Sequence, residues 1–366
     1  MNKNALNFSA GPGALPEKVL KLIQRAIIEL PETGMSVLGM SHRSDWFVNV
    51  VKETEDNIRR LLNLEDDFHV LFLQGGATQQ FSMIPMTLLK GSGMKAEYLQ
   101  TGYWGQKAVE QARKEGEVNV LWSGESSGYQ RLPDNDELSF SEEAAYFHFV
   151  SNETVEGLQF HRMLGLDSVP RVCDMSSDFL SRPIESDRFS IIYAHAQKNF
   201  GPAGVTVVLI RDSVIKNAEK NTSLPAFLNY QNHISAHSNY NTPPVFAIYV
   251  VLLITRWLLE DVGGLENMEQ INQKKARLLY QLLDDSNEFY LGRVRQEDRS
   301  QMNVAFNLAD KNLEQKFLSQ AKGVGFSGLE GHRSTGGVRA SLYNGLPYTS
   351  VEVLADFMHS FRQSHR

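Results

Sequence analysis

Residues 191–210 read Ile-Ile-Tyr-Ala-His-Ala-Gln-Lys-Asn-Phe-Gly-Pro-Ala-Gly-Val-Thr-Val-Val-Leu-Ile, two apolar, β-branched runs broken by a glycine-proline turn. Short apolar runs bounded by turn residues predict buried strands. The first strand is expected to end near His195 and the second to run from Val205 to Ile210, which leaves Lys198 on a tight connection between two core strands. An amine held against an apolar wall loses hydration, its pKa falls, and it becomes a nucleophile toward carbonyls. A lysine near a turn is otherwise simply solvated, so this stretch alone leaves both readings open.

A second strand upstream narrows the choice. Val169-Pro-Arg-Val-Cys-Asp predicts a strand ending at Asp174, followed by Met-Ser-Ser-Asp. An aspartate at one strand's C-terminal end and a lysine just after the next strand can face one crevice of a parallel sheet. That pair suits pyridoxal 5'-phosphate, with the lysine forming a Schiff base and the aspartate holding the proton on the ring nitrogen. Alone, Asp174 would be read as a helix cap or turn residue.

The chain has 366 residues, enough for one large domain and a smaller one. A formal charge of −7 argues against a nucleic-acid footprint, which needs a basic face. The single cysteine, Cys173, rules out an intrachain disulfide and fits a reducing, cytoplasmic setting. The opening residues lack the apolar stretch of a signal peptide, and the most apolar run, Val245 to Ile254, is too short to span a bilayer; a buried helix or one side of a subunit interface is expected there. There is no internal repeat, no low-complexity segment and no metal-ligand spacing.

In chain order, the turn-rich segment Asn7 to Pro16 leads into a helix whose face Val19, Ile23, Ala26, Ile27 and Leu30 should pack on a core. Met35 to Ser44 predicts a loop, then a second amphipathic helix capped by Ser44 or Asp45. His42 and Arg43 precede that helix N-terminus, where they are either solvated or part of an anion site. Phe68-His-Val-Leu-Phe-Leu-Gln-Gly-Gly-Ala-Thr is strand, glycine turn and helix; N–H groups of Gly76, Ala77 and Thr78 can point at a phosphate. The spacing matches neither a Walker loop nor a dinucleotide fingerprint. Ala96 to Thr101 repeats the design, with Trp104 opening a helix toward Gly116, where its indole could stack on a flat ring. Ala144 to Val150 is a further strand, with Thr154 just past it.

Alternating strands and helices from about 16 to 210 predict an α/β domain with a mainly parallel sheet, its candidate ligand groups all at strand C-terminal ends. Residues 221–244 turn polar and irregular, with Asn241 and Thr242 before two prolines. A smaller α+β domain is expected from roughly 261, giving a large domain over 16–260, a small one over 261–366 and a joining segment 1–15. Val338, Ala340 and Leu342 alternate with Arg339, which should therefore face the cleft, with His332 and Arg333 on the preceding loop. If Arg43, Arg333, Arg339 and the two histidines converge, the substrate is acidic.

Nearly end to end, these residues resemble the phosphoserine aminotransferases, a branch of the class V, fold type I pyridoxal-phosphate enzymes. The resemblance is carried by Asn7-Phe-Ser-Ala-Gly-Pro-Gly-Ala-Leu-Pro, Gly39-Met-Ser-His-Arg-Ser, Phe72-Leu-Gln-Gly-Gly-Ala-Thr-Gln-Gln-Phe, Gly102-Tyr-Trp, Asn152-Glu-Thr, Asp174-Met-Ser-Ser-Asp, Ala196-Gln-Lys-Asn-Phe-Gly-Pro-Ala-Gly, Tyr240-Asn-Thr-Pro-Pro and Gly337-Val-Arg-Ala-Ser-Leu-Tyr-Asn. It implies a homodimer with active sites at the interface. Lys198 would carry the cofactor, Asp174 pair with its ring nitrogen, Trp104 stack on the ring and Thr154 bond a ring oxygen. Gly76, Ala77 and Gln197 would hold the phosphate, joined by Asn241 and Thr242 from the other subunit. Arg339 would take the substrate's α-carboxylate, His42, Arg43, His332 and Arg333 its phosphate, and Ser9 would line the site. Some relatives carry an arginine in the glycine loop; this chain has Ala77-Thr78, so the cradle would rest on backbone N–H groups. The implied reaction moves the amino group of L-glutamate to 3-phosphohydroxypyruvate, and the related four-carbon keto acid of pyridoxine synthesis is a second expected substrate.

Three alternatives differ in what they need. A cysteine desulfurase needs a mobile loop cysteine, whereas Cys173 falls in a predicted strand. An alanine–glyoxylate or serine–pyruvate aminotransferase needs fewer basic groups at the substrate's far end. A catalytically silent phosphate-binding protein needs neither Lys198 nor Asp174.

Overall fold

A computed structural model describes residues 6–218 and 224–365 of the chain. In the first body, strands β1 (Phe68–Leu73), β2 (Ala96–Gln100), β3 (Val118–Ser123) and β4 (Phe147–Val150) alternate with helices α1 (Glu17–Ile28), α2 (Asp45–Leu62), α3 (Gly76–Leu88) and α4 (Tyr103–Ala112). A two-stranded ribbon, β5 (Asn152–Glu153) and β6 (Leu158–Gln159), precedes β7 (Arg171–Asp174), β8 (Ile191–His195) and β9 (Thr206–Arg211). Then come α5 (Asp212–Ala218), α6 (Tyr230–Ser235), α7 (Val245–Trp257) and the long α8 (Leu265–Asp284). The chain ends with β10 (Tyr290–Gly292), β11 (Asn303–Leu308), α9 (Lys311–Gly323), β12 (Val338–Ser341) and α10 (Tyr348–Ser364).

Among the described residues the main sheet has seven strands in the order β1-β9-β8-β7-β4-β2-β3. Only β9 runs against its neighbours, pairing antiparallel with β1 and β8. The tight Gly-Pro-Ala-Gly turn explains this, because a short connection can join only antiparallel strands. The fold is thus α/β with a mainly parallel sheet. Side chains alternate through it with period two. Ile192, Ala194, Val207 and Leu209 enter the core shared with α1, α2 and α7; Ile191, Tyr193, Val208 and Ile210 enter the core under α3 and α4. Each such aliphatic or aromatic side chain contributes about 1.5–3 kcal/mol on full burial.

A separate core gathers α8, α9, α10 and the three-stranded sheet β10-β11-β12, and it includes Leu6, Phe8 and Ala14 of the N-terminal segment. The segment after β8 is braced by that N-terminal stretch: Gly13 N–H donates to the Gln197 carbonyl at 2.8 Å. A Cβ on Gly13 would lie 2.4 Å from the Lys198 carbonyl oxygen, so only glycine permits this approach.

Three local expectations need correction. Ile27 does not face the core: it is exposed together with Ile28 (78%), Met35, Leu38 (64%), Val48 and Tyr240, because α1 presents only Val19, Ile23 and Ala26 inward. The predicted loop Met35 to Ser44 contains a 3₁₀ turn at Val37–Gly39, capped by the Ser36 side chain. The stretch 221–244, whose first three residues lie outside the described residues, holds the short helix α6, started by the Asn229 side chain accepting from Gln231 N–H. Helix α7 is buried along Ala247 to Thr255 except for Tyr249. No helix among the described residues is long and apolar enough to cross a membrane.

Candidate active site

Five connections leave the same edge of the sheet: those after β1, β2, β4, β7 and β8, all mutually parallel. Those after β1, β2, β7 and β8 line a cavity of about 370 Å³ through Gly75, Gly76, Ala77, Thr78, Trp104, Asp174, Ser176, His195, Gln197 and Lys198. Lys198 and Asp174 therefore stand on one side of the sheet, in one crevice.

The amine of Lys198 donates to Thr154 Oγ1 at 2.6 Å and Ser177 Oγ at 3.1 Å and lies 5.0 Å from the Trp104 ring centroid. Burial pushes its pKa down to about 8, against the opposing pull of Asp174 and Glu153. Asp174 is buried, and desolvation raises its pKa although the Lys198 charge works the other way. One of its oxygens accepts from Ser176 N–H at 2.8 Å. Trp104 sits in the first turn of α4, and its buried indole Nε1 has no hydrogen-bond partner.

Gly75 and Gly76 take φ of +86° and +70°, a conformation that side chains disfavour, as β1 turns into α3. The first bond of that turn is Gln79 N–H to the Gly75 carbonyl, so the N–H groups of Gly76, Ala77 and Thr78 have no partner within the helix. Three free donors at a helix N-terminus form an anion cradle. His195 and Gln197 flank it, His195 Nδ1 lying 3.0 Å from Thr206 Oγ1.

Arg339 on β12 reaches this crevice as its alternation predicts: its Nη1 donates to the Thr154 carbonyl at 3.3 Å, and its buried Nε is unpartnered. His332 packs on Tyr103 at 4.9 Å, which packs on Trp104 at 5.0 Å, and Arg333 beside it is exposed. Ser9 lies on the N-terminal stretch that braces Lys198 and Gln197, where a Cβ on Gly11 would touch both side chains.

The remaining residues form a second group. The His42 carbonyl accepts from Asn239 Nδ2 at 2.9 Å, and Arg43 is exposed next to it. Asn241 Nδ2 donates to Gln74 Oε1 at 3.2 Å, and Gln74 Nε2 donates to the Thr242 carbonyl at 2.9 Å. None of these four lines the Lys198 cavity. His332 and Arg333 do not line it either, and no hydrogen bond or ring contact joins them to His42 or Arg43 among the described residues. The α2 N-terminus there is also used, since the Ser44 side chain accepts from Phe47 N–H. Sequence reasoning missed Ser177, Ser176 and His195 as neighbours of the lysine; Ser176 and Ser177 stand two and three residues after Asp174, so the signal lay in the same motif.

A buried lysine of lowered pKa, a carboxylate in its cavity, an indole face and an anion cradle at a helix N-terminus, all on one edge of this sheet, define an aminotransferase of class V. Residues 5–354 match the family model described as aminotransferase class-V. The chain is 47% identical over 360 residues to the phosphoserine aminotransferase of Rhodopirellula baltica, covering 98% of this chain and 95% of that protein. Phosphoserine aminotransferase from Bacillus circulans subsp. alkalophilus superposes with a TM-score of 0.94 at 45% identity, over 98% of both chains. A PLP-bound phosphoserine aminotransferase from Trichomonas vaginalis does so with a TM-score of 0.89 at 35% identity, covering 97% of this chain and 99% of that one. The chain belongs to the phosphoserine aminotransferase family.

Proposed function

We propose that the protein moves the amino group of L-glutamate to 3-phosphohydroxypyruvate, giving O-phospho-L-serine and 2-oxoglutarate, with pyridoxal 5'-phosphate as cofactor. The observation that carries this reading is the buried, low-pKa Lys198 in one cavity with Asp174, Trp104 and the Gly76–Thr78 cradle. When bound, the cofactor supplies a ring that accepts the electron pair left when a proton leaves the substrate's Cα.

The chain's own groups do the rest. Lys198 would hold the cofactor and would carry the proton to and from the substrate's Cα; a pKa near 8 leaves enough neutral amine to do so. Asp174 would keep the ring nitrogen protonated, Trp104 would cover the ring, and Thr154 would bond a cofactor oxygen. Gly76, Ala77 and Gln197 hold the phosphate. Arg339 binds the α-carboxylate of either substrate, its planar fork matching that group's geometry. His332 and Arg333 bind the distal anion, a carboxylate in glutamate and a phosphate in the keto acid. Ser9 lines the same entrance.

We place His42, Arg43, Asn241 and Thr242 in the neighbouring site of a homodimer. The support is that none of the four lines the cavity of its own Lys198, and that Ile28, Met35, Leu38, Val48 and Tyr240, on the same stretches of chain or close to them in sequence, are large apolar side chains left exposed. Large apolar side chains left in water in such number mark a protein interface where they adjoin. We divide the chain at about residue 260 into a cofactor-binding body (16–260) and a smaller body (261–366), with 1–15 joining them; the two cores support this, with the start of α8 (Leu265, Met268) packing into the first and its later turns (Ala276, Leu279, Leu283) into the second. A cytoplasmic location and a second activity on the four-carbon phosphorylated keto acid of pyridoxine synthesis belong to the same proposal.

Absorbance tests the reading. Cofactor-loaded protein should show a visible band that bleaches on adding glutamate and returns with 3-phosphohydroxypyruvate. A band that returns with glyoxylate or pyruvate but not with the phosphorylated acid overturns the substrate assignment.

A further inference from the structure

The first turn of α4 is held from outside the helix. Its N-cap, Gly102, has no side chain to accept hydrogen bonds, and three successive N–H groups are taken by two carboxylates of the β5–β6 ribbon segment. Tyr103 N–H donates to Glu156 Oε1 at 3.0 Å, Trp104 N–H to Glu153 Oε2 at 3.1 Å, and Gly105 N–H to Glu153 Oε1 at 2.9 Å. The Thr101 hydroxyl adds a further bond to Glu153 Oε1 at 3.2 Å.

The two carboxyl groups converge on Gly102. A Cβ there would lie 2.5 Å from Glu156 Oε2 and 2.7 Å from Glu153 Cδ. Both side chains are buried, and Glu156 Oε2 has no hydrogen-bond partner. Two carboxylates this close and out of water do not both stay charged. Glu153, with three donors on it, is the one that keeps its charge; the proton belongs on the unpartnered Glu156 Oε2.

We propose that Glu153 and Glu156 hold one proton between them and act as the positioning pair for Trp104, fixing the start of α4 so that the indole covers the amine of Lys198. This rests on the reading of the Lys198 cavity as the cofactor site. Burial pushes both carboxyls above their ordinary range, and the charge of one raises the other further; the three donors on Glu153 and the bare Oε2 of Glu156 decide which of the two carries the proton. Tyr129, Lys198, Arg339 and Arg293 also face the pair. Removing the shared proton sets two charges against each other, draws Glu156 off Tyr103 N–H and lets the first turn loosen.

The test is fluorine NMR of the full-length chain carrying 5-fluorotryptophan, without cofactor, with the Trp104 signal assigned through Trp104→Phe. In the unaltered chain that signal should show a titration step above neutral pH. His332, reaching Trp104 through Tyr103, titrates lower, because burial and the Arg339 and Arg333 charges depress its pKa. The Lys198 step stays in Glu156→Gln, whereas Glu153→Gln moves it down because the Glu153 charge holds the amine's pKa up. Glu156→Gln keeps a carbonyl oxygen for Tyr103 N–H and turns an amide toward Glu153, imitating the protonated state. The low-pH signal should persist and the pair's step disappear; a step identical to that of the unaltered chain overturns the proposal. Glu153→Gln sets an amide against N–H donors, so it should shift the Trp104 signal at every pH. It should also raise the Kd for pyridoxal phosphate about tenfold, the effect of one charge-assisted bond. A Trp104 signal unmoved by Glu153→Gln also overturns it. Because the signal is read without cofactor, borohydride trapping on another lysine would sink the site reading while leaving the pair's hold on Trp104 intact.

Discussion

Thr154 Oγ1 stands 2.6 Å from Lys198 Nζ, and Ser177 Oγ closes the triangle at 2.5 Å from the threonine oxygen and 3.1 Å from the amine. The three groups come from three different strand ends, so the sheet edge itself aims the lysine. Two hydroxyl acceptors favour the charged amine, burial favours the neutral one, and burial is the larger effect.

Uptake of pyridoxal phosphate by the cofactor-free chain should therefore rise about tenfold per pH unit up to about 8 and level off above it, since only the neutral amine attacks an aldehyde. Thr154→Val removes an acceptor of the charged form and should move the midpoint down, while Thr154→Ser should leave it in place. Stopped-flow absorbance over pH 6 to 10 reads both; a midpoint moving up with valine contradicts the assignment.

Asp174→Asn should lower kcat by about 10²–10³, the usual effect of deleting one preorganised electrostatic group. The cofactor should still be trapped on Lys198 by borohydride, because the amine keeps its cavity. Loss of trapping would mean Asp174 serves the fold rather than the ring nitrogen.

Arg333→Ala should weaken phosphorylated substrates by about tenfold or more in KM, with little change in cofactor retention, because the side chain is exposed outside the Lys198 cavity. Equal loss of both would remove it from the substrate pocket. Arg339→Lys should raise KM for glutamate and keto acid together, since a lysine cannot form the two-pronged bond.

Subunit mixing tests where the second group of residues acts. Lys198→Ala and the double variant Arg43→Ala, Asn241→Ala should each be nearly inactive. Unfolded together and refolded, they should recover roughly a quarter of the unaltered activity, because half the dimers carry one intact site. No recovery would place both groups in the same site.

Lys275 is fully buried, and its amine meets the carbonyls of Leu342, Tyr343 and Leu346 at 2.7, 2.8 and 3.3 Å. It thereby ties α8 to the loop after β12, the strand that carries Arg339. Burial pushes its pKa down to about 7. Between that value and the unfolded value near 10.4 the unfolded chain binds more protons, so this lysine makes stability rise with pH across that window and adds no slope below about 7. Lys275→Met should flatten that rise and, by leaving three carbonyls unpaired, lower stability by about 2–4 kcal/mol at neutral pH. Denaturant titrations at pH 7 and 9.5 measure both effects.

Much of this molecule was legible in its sequence because burial and backbone freedom are local properties. The apolar runs Ile191 to His195 and Val205 to Ile210 marked strands covered on both faces, Gly-Pro-Ala-Gly marked the turn, and Arg339 faced the cleft because Val338 and Ala340 face the core. Pairing across the sheet and contacts from distant segments were not legible, because no local pattern encodes them. The insertion of β9 between β1 and β8, the hydroxyl of Ser177 under the lysine, and the hold of Glu153 and Glu156 on a helix some fifty residues upstream were decided by the tertiary structure. So were the partners of His42 and His332, Asn239 for the one and Tyr103 for the other: charge type can be read from sequence, but what a side chain meets depends on how the chain returns.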